Sequence, residues 1–314
     1  MTLELDDAYW ESLRQCSFGP GWAKPEPSLW PEPRRDWRVA QFRYSDARRA
    51  LDEATPFVSP ELAERRNVIC INPREGNTYA TSRNLVAAYQ LVAPGERARS
   101  HRHTPNALRL VVDAPAGAYT VVNGARIDMA PGDVVLTPKW SWHGHANDAE
   151  SGAYWIDFLD VPFVQNTGPM FFEGHPHMYE PVDRLEPSSP MRISPSVVLA
   201  QRGVSAVEPA VTEIAAGLLS TIGLHLLSIP RNGDLPAGRS TANNLYSLVS
   251  GECRVTIEAG AEQLTLERGD ILVVPSWFDH ALHADADTVL LRVSDRPLLD
   301  QLGLLRETPM DVAR

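Results

Sequence analysis

Two stretches of this chain are versions of one another. "PGDVVLTPKWSWHGHA" (131–146) and "RGDILVVPSWFDHALH" (268–283) share Gly132/Gly269, Asp133/Asp270, Pro138/Pro275, Trp140/Trp277 and His143/His280, each pair 137 positions apart. The same offset carries "HRHTPNALRL" (101–110) onto "GRSTANNLYS" (238–247), where Thr104, Asn106 and Leu108 recur as Thr241, Asn243 and Leu245. A constant offset across two separate blocks means a duplicated unit, so the chain must fold as two similar domains.

Those domains read as β. "NVICI", "NLVAAYQLV", "ALRLVV", "AYTVV", "DVVLT" and "AYWIDFL" are short β-type runs separated by Gly, Pro and Asn turns, the pattern of a sandwich or barrel. "VNGAR" (122–126) signals a tight hairpin. The expected organisation is a Pro-rich and helical arm over 1–66, a first β-domain over 67–165, a connecting segment over 166–217, a second β-domain over 218–298 and a tail over 299–314. Within the arm, Ser45 is expected to cap one helix and Ser59, followed by Pro60, another.

The duplication is chemically uneven. His101 aligns with Gly238, His103 with Ser240 and Arg109 with Tyr246, while His143 keeps a counterpart in His280. Packing histidines would be kept in both copies, so their presence in one favours a function there. His101 and His103, two apart, project from one face of a strand, the spacing two imidazoles need to share a metal. His143 completes a third position, and His145 shares its face. Imidazole ligation suits Fe, Zn, Cu or Ni rather than Mg or Ca. Arg109 stands six residues after His103, an even step that on a regular strand points it inward, where a substrate anion or a local acid must pair it. "GHPHMYEP" holds a further pair, His175 and His177, but proline and loop context disfavour a metal there.

At 43% hydrophobic and 22% charged, the chain of 314 residues reads as globular. Its formal charge of −11 argues against nucleic acid or an anionic membrane as partner. The 3 cysteines are scattered and form no CxxC, so neither a disulfide framework nor a thiolate zinc site is indicated. No signal peptide or membrane-length apolar run is seen, and a cytoplasmic location is expected.

Gly95 precedes the His101–His103 pair, and Gly132, Pro138, His143 and Asn147 follow at the spacings of the two cupin motifs, with Trp140 where a glycine is usual. With "HRHTPNALR", "GAYTVVNG" and "WIDFLDVP", the chain resembles the bicupins of the gentisate 1,2-dioxygenase group, which includes salicylate and 1-hydroxy-2-naphthoate dioxygenases. The resemblance implies a mainly β fold: two tandem cupin (double-stranded β-helix, jelly-roll) barrels with a short helical N-terminal arm.

It also implies a function. His101, His103 and His143 would hold one Fe(II) in the N-terminal cupin, with no glutamate ligand after HxH, leaving sites for a bidentate substrate and O2. The activity implied is extradiol-type cleavage of a 2-hydroxybenzoate between the carboxylated C1 and the hydroxylated C2. Arg109 would pair the substrate carboxylate or an oxygen species, His145 would hydrogen-bond the phenolic oxygen or shuttle a proton, and Asp157 would orient the site. Gln90 matches a pocket glutamine, and Arg65 or Arg66 offers a second carboxylate clamp. Val86, Ala88 and Gln90 share a strand face. Alanine at 88, where glycine is common, trims the pocket and brings salicylates carrying a 5-substituent, such as 5-nitrosalicylate, alongside gentisate. The family implies a homotetramer. A metal-dependent cupin isomerase or hydrolase, and a non-enzymatic ligand-binding bicupin, are the alternatives.

Overall fold

The structure is a computed structural model and describes residues 7–23, 26–59, 65–201, 203 and 207–308. Two units separate at Arg34. The first carries helix α1 (Asp7–Gln15), which buries none of its residues and is tied along its surface by Arg14 and Glu11. Everything from Arg35 onward is the second unit.

In the second unit, alternating and continuous apolar runs become strands. The first barrel consists of β2 (Arg66–Ile69), β3 (Val86–Val92), β4 (Arg97–His103), β5 (Ala107–Asp113), β6 (Ala118–Val122), β7 (Ala125–Asp128), β8 (Val134–Thr137), β9 (His143–Asn147) and β10 (Ala153–Leu159), preceded in the chain by β1 (Ala40–Phe42). The connecting segment adds β11 (Phe172–Gly174), β12 (Arg184–Leu185), β13 (Arg192–Ile193) and β14 (Ala210–Ile214). Next come β15 (Gly223–Ile229), β16 (Asp234–Pro236), β17 (Arg239–Ser240), β18 (Asn244–Ser250), β19 (Cys253–Ile257), β20 (Glu262–Leu266), β21 (Ile271–Val274), β22 (His280–Ala284), β23 (Thr288–Ser294) and β24 (Glu307–Thr308).

The first barrel closes two six-stranded sheets on each other, in the orders β13-β8-β5-β10-β3-β2 and β11-β4-β9-β6-β7-β12. The second repeats the plan with β1-β21-β18-β23-β15-β14 facing β16-β22-β19-β20. Thus the segment before the first barrel lends a strand, β1, to the second, and the connection supplies edge strands to both, covering unpaired backbone.

The hairpin expected at "VNGAR" joins β6 to β7 with Val122 opposite Ala125. Asn123 and Gly124 both take positive φ (46° and 78°), as a two-residue turn matching strand twist requires. Motif residues anchor one another. The Gly95 N–H donates to the Asn147 carbonyl at 2.8 Å, and the Asn147 side chain donates to the carbonyls of Val92 and Ser151.

Between the barrels lies the largest apolar core. One face of β3, β5 and β10, with Tyr89, Leu108, Leu110 and Phe158, meets Leu226, Leu245 and Val293 of the second barrel. Helix α2 (Tyr44–Ala54) buries Tyr44, Ala47 and Leu51 at its edge. Ser45 does not cap this helix. The helix begins two residues earlier than that cap implies, with Arg43 at the cap position and no side-chain cap bond. The Tyr44 N–H is instead met by the Asp270 carboxylate at 2.9 Å, an acid from the second copy's repeated Gly-Asp turn. The cap expected at Ser59 opens the stretch "SPELAERR", of which residues 60–64 lie outside the described residues and Arg66 already begins β2.

Candidate active site

The polar face of the first barrel looks inward. On β4, His101 and His103 point the same way, and His101 sits opposite His143 on β9. Register slips between Ala98 and His101, an extra residue that bends β4 and re-aims the imidazoles. The three side chains are buried and bring their ligating nitrogens within 4.8 Å of one another. No carboxylate joins the cluster among the described residues.

Their hydrogen bonds set the tautomer. His103 Nδ1 lies 2.8 Å from the Pro105 carbonyl and His143 Nδ1 3.0 Å from the Ser141 carbonyl. A carbonyl only accepts, so Nδ1 carries the proton in both, and Nε2 offers a bare lone pair. Both Nε2 atoms are buried without a partner. That is costly unless a cation fills the space, so the residues fit a metal, whose ligands are commonly oriented this way. His101 Nδ1 has two neighbours, the Arg99 carbonyl at 3.3 Å and Arg65 Nη2 at 2.9 Å. The guanidinium can only donate and so calls for a bare Nδ1, whereas the carbonyl calls for a protonated one; the two contacts compete for His101, and Arg65 places a cation at the edge of the cluster.

Burial keeps these imidazoles neutral. Desolvation, reinforced by Arg65, lowers the pKa of His101 to about 2 and of His103 to about 4. His143 and His145 are pushed well below the usual histidine value by burial and then by charged neighbours. Neutral nitrogen is what metal ligation needs.

Beside the cluster runs a buried hydrogen-bonded chain. Arg109 is 1% exposed and lies directly opposite Asp157 across β5 and β10. Its Nε donates to Asp157 Oδ1 at 3.2 Å, and Trp155 Nε1 donates to Asp157 Oδ2 at 3.1 Å. Arg109 Nη1 donates to Thr120 Oγ1 at 3.3 Å, and Thr120 Oγ1 lies 3.0 Å from His145 Nδ1. A protein acid therefore pairs the arginine, and Asp157 is no surface carboxylate. Arg109 does not point inward by an even step along the histidine strand. β4 ends at His103, a turn follows, and Arg109 belongs to the opposing sheet.

Gln90 faces the same interior, opposite Trp155 on β10, and neither its carbonyl nor its amide nitrogen has a partner although both are buried. Ala88, opposite Asp157, and Val86, opposite Leu159, continue that face. Arg65 and Arg66 separate cleanly. Arg66 is buried against Glu96, with bonds of 2.9 and 2.7 Å, and the Val58 carbonyl, so it fastens the barrel wall. His175 and His177 have their rings 5.7 Å apart, outside the buried cluster.

Three neighbours escaped sequence reasoning. Thr120 and Trp155 read as ordinary strand residues. Phe172, whose ring stacks 5.1 Å from that of His101, arrives from the connecting segment through the pairing of β11 with β4. Only the loss of Arg109 in the duplicate hinted at a polar network there.

The cupin domain family matches residues 88–159. The 5-aminosalicylate 1,2-dioxygenase of Comamonas sp. is 30% identical over 96% of this chain and 89% of its own length. This chain belongs to the same family. The gentisate 1,2-dioxygenase 1 of Aquipseudomonas alcaligenes, another relative, is 29% identical over 96% of this chain and 95% of that one. The crystal structure of a salicylate 1,2-dioxygenase from Pseudaminobacter salicylatoxidans superposes with a TM-score of 0.86 at 26% identity, over 98% of each chain. As a member of this group of ring-cleaving 1,2-dioxygenases, the chain is an enzyme with a bicupin fold.

Proposed function

We propose that this protein is an Fe(II)-dependent dioxygenase that uses O2 to cleave a 2-hydroxybenzoate between C1 and C2, with gentisate, salicylate and 5-substituted salicylates as the substrate class. The observation that carries the reading is the convergence of three buried, neutral imidazoles, two with an unpartnered Nε2, beside a cationic and hydrogen-bonding wall. His101, His103 and His143 would hold one iron per chain, in a catalytic barrel spanning roughly 67–165. When bound, iron supplies the one-electron chemistry that lets oxygen react with an aromatic ring, together with a Lewis-acid site for the substrate.

The chain's own residues do the rest. Arg65, at the rim of the cluster, meets the substrate carboxylate. Arg109 is clamped by Asp157, so it keeps its charge in a dry interior and sets a fixed positive field where anionic oxygen must be held. Gln90 brings an unpaired amide, able to orient either a donor or an acceptor on the ring. Ala88 and Val86 limit the width of the pocket, and His145 addresses an oxygen next to the metal cluster. Burial excludes water from the reacting atoms. The second barrel, roughly 218–298, serves the fold and a homotetrameric assembly, which light scattering checks. No helix among the described residues is long and apolar enough to cross a membrane, and a cytoplasmic enzyme is proposed.

The test is anaerobic reconstitution with Fe(II), addition of gentisate, salicylate, 5-aminosalicylate or 5-nitrosalicylate, and admission of air. Oxygen uptake matched to loss of ring absorbance is expected, and it should vanish in His101→Ala. Stoichiometric zinc with no iron-dependent turnover on any of the four would overturn the reading.

A further inference from the structure

We propose that Thr120 is a positioning residue that locks His145 in the tautomer opposite to that of His103 and His143, making His145 a hydrogen-bond donor to an anionic oxygen and not a base.

An arginine has no acceptor, so the Arg109–Thr120 contact can only place an N–H on Thr120 Oγ1. The single hydroxyl proton of Thr120 must then go elsewhere. Two acceptors are in reach, His145 Nδ1 at 3.0 Å and the Met129 thioether at 3.5 Å. A thioether is a weak acceptor and an imidazole nitrogen a strong one, and donation from a guanidinium polarises the hydroxyl toward giving its proton. The proton goes to His145 Nδ1. A neutral ring that accepts at Nδ1 carries its own proton at Nε2.

This inverts the pattern two residues earlier. His143 Nδ1 donates to a carbonyl and leaves Nε2 bare, whereas His145 accepts at Nδ1 and exposes an Nε2–H. That Nε2 is buried and has no partner, so the fold holds a donor ready for a group that is not part of the protein. The partner it fits is an oxygen with a free lone pair, such as an ionised ring hydroxyl. It cannot take the proton of an un-ionised one, so the substrate hydroxyl must lose its proton elsewhere.

The duplicate barrel provides an internal control. Thr120 stands opposite His145 across β6 and β9, and the matching register positions across β19 and β22 are Val255 and Leu282. Where Arg109 faces Asp157, Tyr246 faces Arg292. The donor, the relay and the imidazole are all absent from the copy lacking the histidine pair.

The tautomer can be read without turnover. Two-bond proton–nitrogen correlation spectra of histidine-labelled protein, metal-free and loaded with Zn(II), should show the His145 Nδ1 as unprotonated and Nε2 as protonated, with the assignment made by loss of the signal in His145→Gln. An Nδ1–H signature for His145 in the unmodified protein overturns the proposal whatever the variants do. Thr120→Val should convert His145 to the other tautomer or a mixture. It should also lower kcat roughly 10- to 100-fold with KM nearly unchanged, and Thr120→Ser should restore both. The role at the ring rests on the dioxygenase reading, but the spectra do not. An inactive protein with the expected tautomer refutes that reading alone, and an active Thr120→Val enzyme with unchanged kcat refutes the relay alone.

Discussion

Acid should destabilise the metal-free protein steeply and early. Five histidines are almost fully buried, His101, His103, His143, His145 and His280. Burial lowers the pKa of each, to about 2 for His101 and about 4 for His103 and His280. In the unfolded chain each takes up a proton near 6.5, so below that pH the unfolded state binds more protons than the folded state. Stability from this source is complete above about pH 6.5 and is lost as the pH falls toward the folded values. Each such group costs about 1.4 kcal/mol per pH unit in that window. Between pH 7.5 and 5.5 the five together remove about 6–7 kcal/mol, the size of a typical domain's whole stability. Asp160 and Asp295, whose carboxyls burial raises, act in the opposite sense but are fewer. Urea unfolding of chelator-treated protein, followed by tryptophan fluorescence at pH 7.5, 6.5 and 5.5, measures the effect. His280→Gln, in the second barrel and far from any metal ligand in the fold, should flatten the dependence by one group's share. An unchanged urea midpoint between pH 7.5 and 5.5 would refute the reasoning.

Other outcomes follow from single contacts. Asp157→Ala leaves Arg109 buried without its partner and should cost about 3–5 kcal/mol in urea unfolding. Combining it with Arg109→Met should cost less than the two single changes added together. Glu96→Ala strands Arg66 in the same way, with a similar loss of stability, but kcat of the surviving folded enzyme should hardly move because Arg66 faces the wall. Tyr246→Phe removes the hydroxyl that lies 2.7 Å from His280 Nε2, which should cost about 1–3 kcal/mol while metal analysis still finds one ion per chain.

The scaffold was legible because repetition marks positions that solve the same problem twice. Asn106 places its N–H and side-chain amide on the Asp160 carboxylate, and Asn243 does the same with Asp295. Thr104 and Thr241 each bond a returning segment, Phe171 in one case and Arg306 in the other. The third repeated position, Leu108 and Leu245, is fully buried in both copies. Even the tryptophan in the second motif recurs for a backbone reason. Trp140 and Trp277 both hold positive φ (61° and 70°), and their N–H groups donate to His103 and Ser240. The helix start was less legible, because its cap comes from Asp270, more than two hundred positions away. The edge strands β11 to β13 were not legible either. At two or three residues each they are too short to carry a period, and only the barrel edges they cover make them strands.

The two barrels treat the histidine they share in different ways. A buried polar group is tolerated where something satisfies it. At the histidine that both copies share, the second barrel does this itself: Tyr246 lies 2.7 Å from His280 Nε2, and Val255 and Leu282 pack with Tyr246 in an apolar cluster. In the first barrel the matching nitrogen, His143 Nε2, has no partner, and neither do His103 Nε2, His145 Nε2 or the two polar ends of Gln90. Those omissions cluster on the facing sheets of the first barrel. At the one motif histidine that both copies share, the second barrel supplies a tyrosine hydroxyl and the first supplies no partner among the described residues, which leaves that nitrogen for a group from outside the chain.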